Sequence, residues 1–211
     1  MADPVLELYG PSGLITANDN WRDNARQAAA IEATGVPPTN KLEAAIVASL
    51  APASYTAVVR GKNDGTGVGL VEVYDLNQAA DSVLANISTR GFVESGDNAM
   101  IGGFILGGSS GGSRLIIRAL GPSLPVAGKL INPTLELYDG NGLKVNSNDN
   151  WKVNESSGQS QEAAVRATTI PPTKNLESAI VTTLPAGFYT AIVRGKGGGT
   201  GAGLVEVYNL R

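Results

Sequence analysis

The chain has 211 residues, a formal net charge of −3 and a sequence pI near 5.0, and its basic residues form no run. This balance excludes the electrostatic footprint of a protein that binds nucleic acid or an anionic membrane surface. The absence of His and Cys excludes a Ser-His-Asp triad, a thiol nucleophile, disulfides and a zinc–thiolate site. No apolar run approaches the ~18 residues that a membrane-spanning helix needs.

Short apolar or alternating runs predict five strands in the first part of the chain, each bounded by Gly, Pro, Asn or Asp. They are Val5–Tyr9, Leu14–Ala17, Ala44–Leu50, Tyr55–Arg60 and Gly69–Tyr74. Helix-forming Ala, Gln, Glu and Arg between Asp23 and Thr34 predict one short helix, and the Pro37-Pro38 pair then forces an extended path.

The middle of the chain predicts three more strands, at Val83–Thr89, Met100–Leu106 and Arg114–Leu120. The Gly- and Ser-rich loop Gly107–Gly112 predicts a hairpin that joins the last two. The small polar residues 78–82 are the candidate linker.

The last part repeats the first. PVLELYG, NDNW, PPTNKLEAAIV and GTGVGLVEVYDL return as PTLELYD, NDNW, PPTKNLESAIV and GTGAGLVEVYNL. The repeat predicts a second short helix over Ser160–Thr168 and a second set of five strands. These strands are Thr134–Tyr138, Leu143–Asn146, Ser178–Leu184, Tyr189–Arg194 and Gly203–Tyr208.

The repeat predicts the domain organisation, because residues 83–131 occur only once. Residues 83–211 form a complete repeat, in which 83–131 are the unique first half and 132–211 the second half. Residues 1–77 are then an incomplete repeat that contains the second half only. Eight short strands with regular turns predict an all-β, antiparallel β-sandwich or jelly-roll-like fold with one short helix per repeat.

Phrases in both halves carry a family resemblance. LANISTRGFV at 84–93, IGGFI at 101–105 and IRALGPS at 117–123 precede LELYDGNG, NDNW and LVEVYNL. This series resembles a tandem-repeat β-sandwich domain of large secreted or surface-bound bacterial proteins. The second half is also weakly similar to the pre-peptidase C-terminal type of domain found in secreted bacterial peptidases. The resemblance implies an extracellular, non-catalytic module used in series, and it implies no ligand.

The two Asn-Asp-Asn-Trp turns are the most site-like motifs. Ca²⁺ prefers six to eight oxygen ligands, and these turns are rich in side-chain oxygen. The candidate ligands are Asn18, Asp19, Asn20, Asn148, Asp149 and Asn150. The alternative is an Asx turn, in which the same oxygens accept hydrogen bonds from nearby backbone amides and the Trp caps the core.

Other candidates favour structural roles. The glycine-rich loops 61–67 and 195–201 lack the following helix of a phosphate loop, which favours flexible hairpin tips. Arg60 and Arg194 are expected to pair across strands with Glu72 and Glu206. The alternating carboxylates Glu7, Glu72, Glu136 and Glu206 favour solvated strand faces. Trp21, Trp151 and the six Tyr are candidates for a sugar-stacking platform, with core positions as the alternative.

These observations predict a secreted structural or adhesive module without enzymatic activity or a cofactor, calcium aside. The incomplete half leaves strand edges open, and open edges invite strand addition. Head-to-tail assembly with itself or with neighbouring repeats, into a filament or array, is therefore expected. The alternative is a carbohydrate-binding module that binds a glycan and is stabilised by calcium.

Overall fold

The computed structural model describes residues 1–76, 85–107 and 111–210. The chain forms two compact units, Met1–Val83 and Leu84–Arg211. The predicted linker 78–82 lies outside the described residues. Within the described parts of the chain, no helix is long and apolar enough to span a membrane.

The second unit contains eight strands and one short helix, as predicted. The strands are β4 (Asn86–Val93), β5 (Met100–Leu106), β6 (Ser113–Leu120), β7 (Pro133–Asp139), β8 (Lys144–Asn148), β9 (Ser178–Leu184), β10 (Gly187–Gly195) and β11 (Gly201–Asn209), and the helix is α2 (Glu162–Arg166). They form two four-stranded antiparallel sheets, in the orders β5-β10-β7-β8 and β4-β11-β6-β9. The all-β sandwich prediction is therefore confirmed.

The core of this unit lies between its two sheets. Alternate residues of strands such as β6 and β7 point inward, as the period of two requires. Leu135 and Leu137 of β7 are fully buried, and they pack in one cluster with Ile117 of β6 and Val205 of β11. A second, smaller cluster packs Ile116 of β6 against Trp151 and Val165 on the outer face of the second sheet. Strand β6 therefore contributes to both clusters.

The described residues of the first unit form one sheet, with the order β2-β1-β3. Its elements are β1 (Pro4–Gly10), β2 (Gly13–Asn18), the helix α1 (Ala25–Glu32) and β3 (Thr56–Gly61). By sequence these strands match β7, β8 and β10, and their pairing is the same. The first unit thus keeps three of the four strands of one sheet.

The strands predicted at Ala44–Leu50 and Gly69–Tyr74 are not formed, so those two predictions are wrong. Their counterparts are β9 and β11, which both pair with β6 in the second unit. The first unit contains no counterpart of β6 among its described residues, so neither segment has a ladder partner. A strand is stabilised by its partners, and the propensity of its own sequence does not suffice.

Among its described residues, the first unit has no second sheet and therefore no core between two sheets. Leu6 and Leu8 are half-buried, whereas their counterparts Leu135 and Leu137 are fully buried. Val71 is 44% exposed and its counterpart Val205 only 2%. Among the described side chains of this unit, only Trp21 and Ile31 are fully buried.

Two predicted hairpins are also wrong. The residues on either side of the loop 107–112 belong to different sheets, since β5 pairs with β10 and β6 pairs with β11 and β9. This segment therefore does not join two paired strands as a hairpin, and its residues 108–110 lie outside the described part. The second glycine loop joins β10 to β11, which also lie in different sheets and are separated by a short 3₁₀ turn over Lys196–Gly198.

Hydrogen exchange should separate two nearly identical sequences within one chain. Amides of residues 67–75 should exchange orders of magnitude faster than those of 201–209, because only the latter donate in a buried ladder. Residues 44–50 and 178–184 provide a second matched pair. Equal protection of the matched segments at low protein concentration would contradict this account of the first unit.

Candidate functional site

The two Asn-Asp-Asn-Trp turns have the same geometry in both units. In the first unit, the Asn18 Oδ1 atom accepts from the Ala45 amide at 2.9 Å, and Trp21 Nε1 donates to the Asn40 carbonyl at 3.1 Å. In the second unit, Asn148 Oδ1 accepts from the Ala179 amide at 3.0 Å, and Trp151 Nε1 donates to Lys174 at 3.0 Å. The first asparagine and the Trp of each motif thus hold the turn.

A lysine contacts the aspartate of each turn. The Lys62 Nζ atom lies 2.5 Å from Asp19 Oδ2, and Lys196 Nζ lies 2.5 Å from Asp149 Oδ2. The hydrogen bond to Asp19 raises the pKa of Lys62 above its ordinary value. The lysines of the two glycine-rich loops are therefore engaged with carboxylates, which opposes a phosphate-binding role.

Some oxygens near these turns are buried without a hydrogen-bond partner. They are Oδ1 of Asp3, Asp19, Asn20, Asn132 and Asp149. Unsatisfied buried oxygens are the kind of atom that a cation would stabilise. The lysine ammonium already lies beside the aspartates, however, so a calcium ion would compete with it. Among the described residues, no group of three or more acidic, His or Cys side chains has metal-binding geometry.

The two tryptophans are not an exposed platform, since both are only 2% exposed. The guanidinium of Arg22 lies 4.3 Å from the ring centroid of Trp21, and Lys152 and Arg166 approach Trp151 at 5.4 and 5.3 Å. These contacts are cation–π pairs at the rim of a packed side chain. The Trp residues therefore offer no face on which a sugar ring can stack.

The predicted ion pairs of Arg60 and Arg194 have different partners. Arg194 Nη1 contacts Glu136 at 2.9 Å, and Arg60 Nε contacts Glu7 at 3.5 Å. The prediction is wrong because β10 pairs with β7, and β3 with β1, so β11 and its counterpart are not their neighbours.

Glu206 is also not on a solvated face. It is 7% exposed and forms an ion pair with Arg118 of β6. The sequence offered no signal for this pair, because Arg118 lies in the half that occurs once.

The most distinctive surface of the molecule is formed by residues 43–50 and 67–75 of the first unit, called here the acceptor segments. Val71 is 44% exposed and Val73 is 61% exposed, although both belong to the apolar alternation of a sandwich strand. The segments also contain Glu43 and Glu72. Their counterparts in the second unit, Glu177 and Glu206, have hydrogen-bond or ion-pair partners there. Their counterparts β9 and β11 flank β6, so the acceptor segments have the sequence of two strands with a central strand missing.

Glu177, the counterpart of Glu43 in the second unit, accepts several hydrogen bonds through its carboxylate. It is fully buried, and its Oε1 accepts from the Ser123 amide at 2.9 Å and from the Ser123 hydroxyl at 2.5 Å. Its Oε2 accepts from the Lys174 amide at 3.1 Å. In the first unit, Glu43 Oε2 accepts from the Asn40 amide at 3.0 Å, so the same local arrangement is in place. Sequence reasoning missed both glutamates, although their repetition at the same position was visible.

Comparison with known proteins gives no relative: no protein-family model matches the chain, and no curated protein matches it. The class of protein that the geometry defines is an all-β sandwich.

Glu177 and Glu43 provide a matched pair of substitutions. We expect Glu177→Gln to lower the free energy of unfolding of the second unit by about 2–4 kcal/mol, since an amide disrupts buried charge-assisted hydrogen bonds. Glu43→Gln should cost under ~1 kcal/mol, since Glu43 is partly exposed and accepts one hydrogen bond. Urea unfolding in Trp21→Phe and Trp151→Phe backgrounds reports each unit separately. Equal costs would show that Glu177 does not bind the 121–123 turn.

The calcium hypothesis makes a separate prediction. Calcium at about 10 mM should raise the melting temperature, because extracellular sites have dissociation constants of about 0.1–1 mM and binding stabilises the folded state. Chelator should reverse the shift, Asp149→Asn should reduce it, and the charge-matched Asp97→Asn should not. If calcium does not change the melting temperature, the Asx-turn interpretation of these motifs is favoured.

Proposed function

We propose that the chain is a non-catalytic structural or adhesive repeat module of an extracellular bacterial protein, and that the open first unit joins it to its neighbours. The observation that supports this most directly is the sheet order β4-β11-β6-β9. The first unit has the sequences of β9 and β11 but nothing to lie between them among its described residues. The likeness of the chain's phrases to tandem repeats of secreted proteins motivates the extracellular location.

Joining occurs by strand addition. Open edges recruit strands because their backbone N–H and C=O groups lack partners. The exposed apolar side chains of the acceptor segments add a driving force of about 1.5–3 kcal/mol for each Val or Leu that becomes fully buried. A donor equivalent to β4–β6 would supply the first unit with the strands missing from its second sheet. That sheet would then cover the apolar face of the sheet β2-β1-β3. Successive completion in one direction makes a head-to-tail array.

The donor has to come from a neighbouring repeat. Each chain contains two acceptor halves, residues 4–76 and 133–210, and one donor segment, 86–120. Exchange of donors among identical copies moves the open half from one place to another and leaves its number unchanged. Such exchange gains no burial, so an additional donor segment is needed to close every sandwich.

An extended chain tests the proposal. Asp3 stands at the position of Asn132 in the repeat. A second copy of residues 83–131 is fused directly before Asp3, so that the first unit has a donor segment of its own. We expect residues 44–50 and 67–75 to gain slow hydrogen exchange and the chain to bind less of a dye that reports exposed apolar surface.

The control is an extension of the same length and composition with a scrambled order. If the native extension protects the acceptor segments no better than the scrambled one, the first unit is not an acceptor. Carbohydrate binding, with or without calcium, is the alternative function. A glycan array with and without chelator detects it independently of the extension, and a specific glycan signal would favour it.

A further inference from the structure

Strand β6 presents different chemistry on its two faces. Leu115, Ile117 and Ala119 point into the core between the sheets. On the other face, Ile116 packs beside Trp151, and Arg118 approaches the ring of Tyr208 at 5.1 Å. The strand therefore combines an apolar inner face with one largely buried cation on the outer face.

Arg118 is held by three groups of the second half. Its Nη1 donates to the Ile170 carbonyl at 2.7 Å, and its Nη2 contacts the Glu206 carboxylate and, at 3.4 Å, the Tyr208 hydroxyl. Burial, with the adjacent Glu206 adding to it, raises the pKa of Tyr208. The Arg118–Glu206 pair is desolvated on both sides, with side-chain exposures of 12% and 9%.

The first unit repeats all three groups. Val36, Glu72 and Tyr74 stand at the positions of Ile170, Glu206 and Tyr208. The Tyr74 hydroxyl already donates to Glu72 at 3.0 Å, as Tyr208 does to Glu206 at 3.0 Å. Within the described residues, Glu72 has no cationic partner. The sequence of the first unit thus repeats the residues that hold the arginine, without the arginine.

A second polar contact lies just beyond β6. The amide and hydroxyl of Ser123 and, at 3.4 Å, the amide of Gly121 all donate to one oxygen of Glu177. Glu43 stands at this position in the first unit, and only its other oxygen accepts a hydrogen bond there. By this correspondence, Glu43 would contact the turn that follows an added strand, and Glu72 would contact the arginine of that strand.

We infer that the first unit recognises a partner strand of defined chemistry, and that Glu43 and Glu72 select it. The strand carries alternating apolar residues on one face, an arginine at the position of Arg118 on the other, and a Gly-Pro-Ser turn directly after it. The source is a neighbouring repeat that carries the sequence of residues 113–123. The inference rests on the proposed function and adds to it the residues that decide the choice of partner.

Charge complementarity favours this partner over a second open unit. Two open units placed face to face would cover their apolar side chains, but they would bury Glu43 and Glu72 of both copies without the additional donors that Glu177 and Glu206 have in the second unit. A buried carboxylate without a partner is strongly destabilising. An Arg-bearing strand neutralises one carboxylate and hydrogen-bonds the other, so it covers the same surface without that cost.

The test uses the full chain and a fluorescent synthetic peptide of residues 111–124. We expect saturable binding by fluorescence anisotropy and slower hydrogen exchange in residues 44–50 and 67–75. Glu72→Gln and Glu43→Gln should each weaken binding at least ten-fold, since each removes a charge that the peptide contacts. The matched control is Glu32→Gln, which makes the same charge change on α1 of the same unit and should bind as the unaltered chain does.

A double-mutant cycle assigns the contact. A peptide with Arg118→Ala should bind the unaltered chain at least ten-fold more weakly, and it should lose little more when Glu72→Gln is also present. Independent losses would overturn the inferred pairing. Binding that is indifferent to both glutamates would also overturn it and would indicate general apolar association.

Two further outcomes separate this inference from the function on which it rests. If the extended chain orders the acceptor segments but the peptide does not bind, the β6 recognition is wrong and the acceptor function stands. If the chain alone sediments as a dimer that the peptide cannot dissociate, the open units cover each other and the inference is overturned.

Discussion

The position of β6 is the constraint on which the rest of the structure depends. It lies between β11 and β9, so it supplies one edge of each ladder, and it also contributes side chains to both apolar clusters. Where β6 is present, β9 and β11 form strands and Leu135 and Leu137 are fully buried. In the first unit the counterparts of β9 and β11, residues 44–50 and 67–75, lie outside any strand. The strand that pairs with both β9 and β11 is therefore one that the first unit lacks among its described residues, together with counterparts of β4 and β5.

The polar contacts of β6 determine how specific this dependence is. An apolar strand alone would be replaceable by many others, since apolar burial is not directional. Arg118 and the turn at Gly121–Ser123 add contacts that require carboxylates at fixed positions. Removing one member of a buried pair costs more than the pair contributes, so the charges act chiefly against wrong partners. Glu43 and Glu72 stand at the same positions in the first unit.

Much of the fold follows from the sequence because it rests on local pattern. Alternation predicted the eight strands of the second unit, and the repeat indicated which half was single. Pattern failed at Ala44–Leu50 and Gly69–Tyr74, where alternation was present and the pairing strand was not. It also failed at Glu206, whose alternation suggested solvent on that face. In the structure, Arg118 and Tyr208 cover that face, and Arg118 comes from a strand 88 residues away in sequence. Propensity describes a residue and its near neighbours, whereas these outcomes depend on a distant segment.

The numbers of acceptor halves and donor segments in each chain limit how many sandwiches can be completed by assembly. Two acceptor halves and one donor segment per chain mean that exchange among identical copies leaves one open half for every chain. A short linker also gives the donor within a chain an effective concentration in the millimolar range, which favours its own second half over that of another molecule. Growth beyond one chain therefore depends on a surplus of donor segments. In a series of alternating halves, each donor closes the half beside it, and only the half at one end stays open. If the chain assembles as proposed, the first unit is where a donor strand would be added, and Glu43 and Glu72 would determine which strand is accepted.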